Sequence, residues 1–350
     1  MGVTWPAEPD PVGDVRSRML ERWRRIDPLL PAVVPWSAAS CGAPLIVTGA
    51  AGRVAATGSC AHWAGPPDSL DLSWGAARRF RLAAEVAGPD VDGGLDGLLG
   101  RWREHLAEVP GAGDPDSAAE IDWPSRDADG IAALLRHGLA PLEVLAARTI
   151  PRGAGRSSGT VRDNPDLDLR IRRAEPRDMP AVARLGLEVI RWDALFGKVT
   201  ERPGTLAALE EEAAGLLDGP APWTWLAERD GEAVGLLAAQ RPEAAGWVAP
   251  FVRQAPAAYL MLGFVEPGER GGGAGGALAE RFHREADAAG VNVILLHYEQ
   301  LNPLSAPFWN RHGYRPLWTT WAASPASLMR LRCPPFRGGG LAVELEERRL

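Results

Sequence analysis

The stretch that most restricts the fold is an apolar run, Tyr259 to Val265, leading through Glu266-Pro267-Gly268-Glu269 into Arg270-Gly271-Gly272-Gly273-Ala274-Gly275. A helical pattern follows, with Ala277, Leu278, Phe282 and Ala286 on one face. A strand that ends in a glycine loop opening a helix is a device for holding a pyrophosphate. Glycine lacks a Cβ, so the backbone can turn sharply and approach a ligand closely. The first N–H groups of the helix have no partner within it, and the helix dipole adds positive potential there. Together they bind anions. Arg270 adds a cation suited to phosphate oxygens. The spacing does not match the dinucleotide fingerprint, because no acidic ribose partner follows at the right distance. It is not a P-loop either, since no Gly-Lys-Ser/Thr is present and the sole lysine, Lys198, lies far upstream.

A second block follows one helix and one strand later, Asn302-Pro303-Leu304-Ser305-Ala306-Pro307-Phe308-Trp309-Asn310-Arg311-His312-Gly313-Tyr314. The loop resembles the acetyl-CoA loop of the GNAT acetyltransferases, Gln/Arg-x-x-Gly-x-Gly/Ala after Val-x-Pro. The block resembles that family's C-terminal motif, Asn-x-x-Ala-x-x-Phe-Tyr-x-x-x-Gly-Phe. Asn302, Phe308, Gly313 and Tyr314 fall in register, while Ser305 replaces an alanine and Trp309 a tyrosine. The resemblance covers roughly residues 167–323. It implies an α/β fold whose mixed, mostly antiparallel sheet is flanked by helices and has a splayed central strand pair.

The resemblance also implies a chemistry: transfer of acetyl from acetyl-CoA to a primary amine by direct attack on the thioester. Backbone groups near Phe264 and Val265 would bind the pantetheine arm and stabilise the oxyanion. Arg270, Gly271, Gly272, Gly273, Ala274 and Gly275 would hold the pyrophosphate. Asn302, Ser305, Phe308 and Trp309 would line the arm. Attack needs a neutral amine, and a lysine-like amine has a pKa near 10, so a base or a water relay must take a proton. Glu299 is the first candidate, with Tyr259 and Glu266 behind it, although any surface glutamate would look the same in sequence. His297, on the same strand face as Glu299, reads as structural. Indole cannot replace the family tyrosine as proton donor to the leaving thiolate, which leaves Tyr298 or water for that part. Trp192 and Asp193 are candidates for the acceptor site, and Trp192 with Phe196 reads equally as a core stripe. The acceptor is a small-molecule or peptide amine of open identity. The alternative from another class is a non-catalytic acetyl-CoA sensor or scaffold.

Composition sets outer limits. A chain of 350 residues with 46% hydrophobic content supports two cores. A net charge of −7 argues against a nucleic-acid partner. No run reaches the ~18 apolar residues of a membrane span, and no signal pattern opens the chain. Three scattered cysteines, Cys41, Cys60 and Cys333, suggest neither a metal site nor a disulfide framework and fit a cytoplasmic setting.

Residues 151–166, rich in Gly, Ser, Arg, Asn and Pro, read as a linker. The halves echo each other across it. Arg136-His137-Gly138-Leu139-Ala140-Pro141-Leu142 matches Arg311-His312-Gly313-Tyr314-Arg315-Pro316-Leu317 at an offset of 175, half the chain length. At a slightly different offset Phe80–Gly97 lies against Tyr259–Gly276, which sets Val91 against Arg270 and Asp96 against Gly275. At the offset of 175, Asp127 stands where Asn302 would be. The expected organisation is tandem GNAT-like domains: a degenerate copy over 1–150 unable to bind CoA, an active copy over 167–324, and a tail over 325–350. The two would pack as an intramolecular pseudo-dimer.

Overall fold

The computed structural model describes residues 11–36, 44–49, 52–150, 169–219 and 221–329. The expected linker, Cys41, Cys333 and all but the first residues of the expected tail lie outside these. The first half contains α1 (Pro11–Ile26), β1 (Leu45–Thr48), β2 (Val54–Ala64), β3 (Arg78–Val86), α2 (Val91–Glu108), β4 (Ser117–Pro124), α3 (Ile131–Arg136) and β5 (Ala140–Thr149). The second contains β6 (Arg170–Arg173), α4 (Met179–Asp193), α5 (Thr205–Leu217), β7 (Thr224–Arg229), β8 (Glu232–Gln240), β9 (Ala257–Val265), α6 (Ala274–Ala288), β10 (Val293–Glu299), α7 (Ser305–Arg311) and β11 (Arg315–Ala323).

Local chemistry explains the elements that frame the site. Asp230 and Gly231 both take positive φ, 51° and 84°. That is the primed turn that matches strand twist, so β7 and β8 close as a hairpin. A capping box of Glu175 and Asp178 opens the segment leading into α4. Helix α4 then buries Val182, Leu185, Val189 and Ile190. Helix α6 buries Leu278, Phe282 and Ala286, with Phe282 edge-on to Trp223 at 5.7 Å.

All eleven strands form one sheet, in the order β1-β2-β3-β4-β11-β5-β10-β9-β8-β7-β6. Only β3–β4 and β9–β10 are parallel. Each parallel pair stays in register for four residues and then separates, after Arg81↔Glu120 and after Leu260↔Leu296. Each half therefore carries the expected splayed pair. The two halves share this sheet, and their last strands are exchanged. β11 lies between β4 and β5, and β5 lies between β11 and β10. A central core of Val15, Met19 and Trp23 from α1, Leu145, Leu295 and Trp318 spans the junction. Trp23 meets Trp318 edge to face at 5.0 Å. Arg202 of the second half also bonds Asp116 of the first at 2.8 Å.

The internal echo is visible in the hydrogen bonds. Asp127 N–H donates to the Pro124 carbonyl at 2.9 Å, and Asn302 N–H to that of Glu299 at 3.0 Å. Further on, Leu139 N–H reaches the Leu134 carbonyl and Tyr314 N–H that of Trp309, around Gly138 and Gly313 at φ 77° and 83°. The alignment fails at the loop. Residues 87–90 join β3 to α2, whereas residues 266–273 join β9 to α6. The first-half loop is four residues shorter, and Asp90 rather than Asp96 stands at the helix entrance. Asp96 is buried inside α2, 3.1 Å from Arg136 Nε.

Because β5 and β11 each complete the other half's sheet, neither half is expected to fold alone. A fragment of residues 167–350 leaves both edges of the β5 slot open, and an open edge pairs with other chains. Size-exclusion chromatography should show it associated or insoluble, with soluble protein recovered on co-expression with the first half. A monodisperse monomeric fragment would show the exchange to be dispensable.

Candidate active site

The gap between β9 and β10 opens into a cavity of about 1100 Å³ that runs from the glycine loop to the centre of the sheet. Past Leu260, strand β9 pairs with β8 on one side only. Its other edge, along residues 261–265, faces the cavity with backbone groups available to a ligand.

At one end of the cavity lies the loop. Gly271 and Gly273 take φ of 84° and 88°, values that other residues rarely adopt. Gly273 is the N-cap of α6 and no side chain caps this helix, so its first N–H groups stay open to a ligand. A Cβ at Gly275 would come within 3.2 Å of the Phe308 ring, so glycine there lets α6 sit against α7. Arg270 lies across this end: its Nε donates to the Val265 carbonyl at 3.0 Å, and its guanidinium stacks 4.1 Å above Trp192. The corresponding helix of the first half is closed. Asp90 caps α2 with its own carboxylate, accepting from Gly93 N–H at 2.8 Å.

Nearly every residue expected at the site lines the cavity: Trp192, Asp193, Tyr259, Phe264, Val265, Arg270, Gly271, Gly273, Ala274, Gly275, Tyr298, Glu299, Asn302, Ser305, Phe308 and Trp309. Gly272 does not line it. The side chain of Asn302 is occupied at both ends, donating to Asp193 Oδ1 at 3.0 Å and accepting from Leu304 N–H at 3.1 Å. Asp193 is thereby turned to the protein, and burial with the charge of Glu143 pushes its carboxyl up to about 6 against the Asn302 bond. In the first half the same position carries an ion pair, with buried Asp127 gripped by Arg22 of α1. Trp192 stands beside the glycine loop under Arg270 rather than at the far end of the cavity.

Glu299 ends β10 and is 3% exposed, and among the described residues its Oε2 has no hydrogen-bond partner. Burial, and then the charge of Glu143 directly opposite on β5, raise its carboxyl well above the ordinary range, with Lys198 pulling the other way. The turn carrying Gly197 closes over it. A Cβ at Gly197 would stand 2.0 Å from Glu299 Oε2, so glycine is required for that approach. Lys198 bonds Glu143 at 2.8 Å. Burial disfavours charge on Glu143, but Lys198 and His297 outweigh it and hold the carboxylate ionised.

Two of the weaker base candidates are corrected. The Tyr259 hydroxyl bonds His297 Nδ1 at 2.9 Å, and burial together with Glu143 drives its pKa upward, the wrong direction for a base. Glu266 forms an ion pair with Arg184 at 2.6 Å and does not line the cavity. Tyr298 faces the opposite side of β10 from Glu299, among Trp309, Tyr314 and the α6 core. Burial raises its pKa, which keeps the phenol protonated. Trp309 packs edge-on against Phe308 and Tyr314 at 4.8 and 5.3 Å. Its ring would lie 3.3 Å from a Cβ at Gly263, so the indole fills the mouth of the β9 edge.

Sequence reading missed the far wall. Arg81, Glu120, Asp122 and Glu143, all from the first half, line the cavity together with Lys198. Lys198 did leave a signal, as the single lysine in a chain whose other cations are arginine.

The raised Glu299 pKa also bears on stability. The folded chain binds this proton more tightly than the unfolded chain does. The contribution is therefore complete below the ordinary value of 4.5 and is lost as pH rises through the raised folded value. Glu299→Gln is expected to melt higher than the parent in mildly alkaline buffer, with the gap closing toward pH 4.5. Equal melting temperatures across that range would contradict the burial argument.

Residues 187–314 match the model of the acetyltransferase (GNAT) family. A GCN5-related N-acetyltransferase from Sphaerobacter thermophilus superposes on 92% of this chain and 97% of its own, at 14% identity and a TM-score of 0.53. A GCN5-related glucosamine N-acetyltransferase region of a fungal multi-domain β-N-acetylglucosaminidase covers 89% of this chain at 13% identity and a TM-score of 0.51. This chain spans 37% of that protein. A tandem GNAT protein from the clavulanic acid biosynthesis pathway covers 88% at 13% identity, with a TM-score of 0.41. A comparison with curated proteins found no match. Over most of its length the fold is thus similar to that of the GCN5-related N-acetyltransferase from Sphaerobacter thermophilus. Among the described residues no helix is long and apolar enough to cross a membrane.

Proposed function

We propose that the protein is an acetyl-CoA-dependent N-acetyltransferase acting on a primary amine, with its single cofactor site in the second half. One observation carries the reading. A single cavity joins an uncapped, glycine-opened helix N-terminus to a buried carboxylate with an unused oxygen. The residues present fit the cosubstrate: two positive-φ glycines and open N–H groups for its pyrophosphate, and an unpaired β9 edge for its pantetheine arm. Acetyl-CoA supplies an activated acyl group with a thiolate leaving group.

The remaining work falls to this chain. Glu299 takes the proton from the attacking ammonium, for which a raised pKa suits it. Backbone N–H groups at the β9 edge, near Phe264 and Val265, stabilise charge that develops on the acyl oxygen. The neutral amine bonds the acyl carbon, the carbon–sulfur bond breaks, the acylated nitrogen gives up its excess proton to water, and CoA leaves as thiol. Tyr298 or water delivers the thiol proton, since Trp309 cannot. The first half is a degenerate partner. The Asp90 cap and the Arg22–Asp127 pair occupy its counterparts of the loop and of Asn302. With the second half it forms a pseudo-dimer that walls the acceptor end.

The test is thiol release from acetyl-CoA with full-length protein and a panel of amines. Amine-dependent release supports the enzyme. Tight acetyl-CoA binding without release from any amine favours a sensor, for which the loss of the family tyrosine speaks.

A further inference from the structure

The centre of the sheet carries charge where a buried surface is ordinarily apolar. On the face flooring the cavity, Glu299 stands opposite Glu143, Glu143 opposite Thr320, and Thr320 opposite Asp122. Glu120, two residues before Asp122, shares that face and pairs in register with Arg81. Four carboxylates therefore meet two cations, Arg81 and Lys198. Both cations are committed. Lys198 bonds Glu143 at 2.8 Å, and Arg81 bonds Asp122 at 2.8 Å but stays 3.6 Å from Glu120. Arg79, the next cation on β3, gives its donors to the carbonyls of Ala76 and Asp71 and lies over Trp63.

Among the described residues, Glu299 Oε2 and Glu120 Oε1 on this face are left without a donor. Both residues are 3% exposed, and both line the same cavity. A buried polar acceptor without a partner is costly. Two of them at separate points of one chamber point to a ligand that brings a cation to each. Strands β10 and β4 are three inter-strand steps apart, about 14 Å at roughly 4.8 Å per step. The cavity lining also includes the aromatic side chains of Trp74, Trp247, Tyr259 and Trp318.

Building on the amine-acceptor reading above, we infer that the acceptor is an elongated aliphatic di- or polyamine. One ammonium sits at Glu299, where it loses its proton and is acetylated. The distal ammonium sits at Glu120, and the methylene chain lies along the aromatic wall. An amino acid would bring its own carboxylate into an acidic chamber, and a monoamine would leave Glu120 unmatched. The degenerate half thus holds the specificity-determining residue of the active one.

The experiment is calorimetric binding of diaminooctane and of octylamine to the full-length protein, without acetyl-CoA. The diamine is expected to bind at least about tenfold tighter, the worth of one charge-assisted hydrogen bond. In Glu120→Gln that preference should fall toward one. The comparison on unaltered protein needs no variant, so a misfolded mutant leaves the outcome readable. Equal binding of the two ligands, binding of neither, or a preference that survives Glu120→Gln overturns the inference. A diamine preference in a protein that acetylates no amine would uphold this site and remove the enzymatic reading instead.

Discussion

Glu299→Gln is expected to lower amine-dependent thiol release by ~100- to ~10,000-fold, the usual worth of a positioned acid or base. The carboxylate is the one group in the cavity that combines a raised pKa, an oxygen without a partner and a place at the end of the splayed strand. Glutamine keeps the volume and a polar end but cannot accept the ammonium proton. The loss should fall on kcat at saturating amine. The rise of rate with pH that reports deprotonation of Glu299 should disappear from the profile. An unchanged profile in the variant would assign the base to water and reduce Glu299 to a positioning residue. The neighbouring ion pair sharpens the expectation. Glu143 is held ionised by Lys198, and its charge is one reason that Glu299 is not.

The second large effect belongs to the glycine loop. Gly273→Val forces a β-branched residue to φ 88° at the N-cap of α6. A non-glycine residue held in that region costs about 1–3 kcal/mol, and the alternative is a loop that moves its N–H groups away from the pyrophosphate. Coenzyme A affinity should drop at least tenfold, about 1.4 kcal/mol in binding free energy. Asp90→Ala opens the matching helix of the first half but restores neither the four missing loop residues nor a counterpart of Arg270. It should leave coenzyme A affinity where it was while removing the cap of α2. Such a cap contributes about 0.5–2 kcal/mol to stability. Binding that survives Gly273→Val and falls in Asp90→Ala would reverse the assignment of the halves.

What sequence patterning conveyed was local. The strand running into the glycine loop and the helical spacing after it rest on short-range chemistry, and both stand in the fold. The echo between residues 136–142 and 311–317 also reflects real geometry, because the same backbone hydrogen bonds recur at both helix ends. The exchange of β5 and β11 left no mark of this kind. Both strands are mostly apolar and carry long buried runs, and the choice of neighbour is made by tertiary packing around Trp23 and Trp318. The charged wall was hidden for the same reason. Glu120, Asp122 and Glu143 sit on two strands of the first half and meet Glu299 only through the pairing of β4, β11, β5 and β10. The first-half loop was misaligned because it is four residues shorter: a near-constant offset set Asp96 against Gly275, whereas with Asp90 and Gly273 as the two N-caps the counterpart of Gly275 is Asp92.

Titration calorimetry of the full-length chain with acetyl-CoA tests the central claim most directly. One equivalent bound per chain is the expected result, since only α6 presents an open N-terminus behind a glycine loop while α2 is capped by Asp90. No heat, or two equivalents per chain, would contradict it.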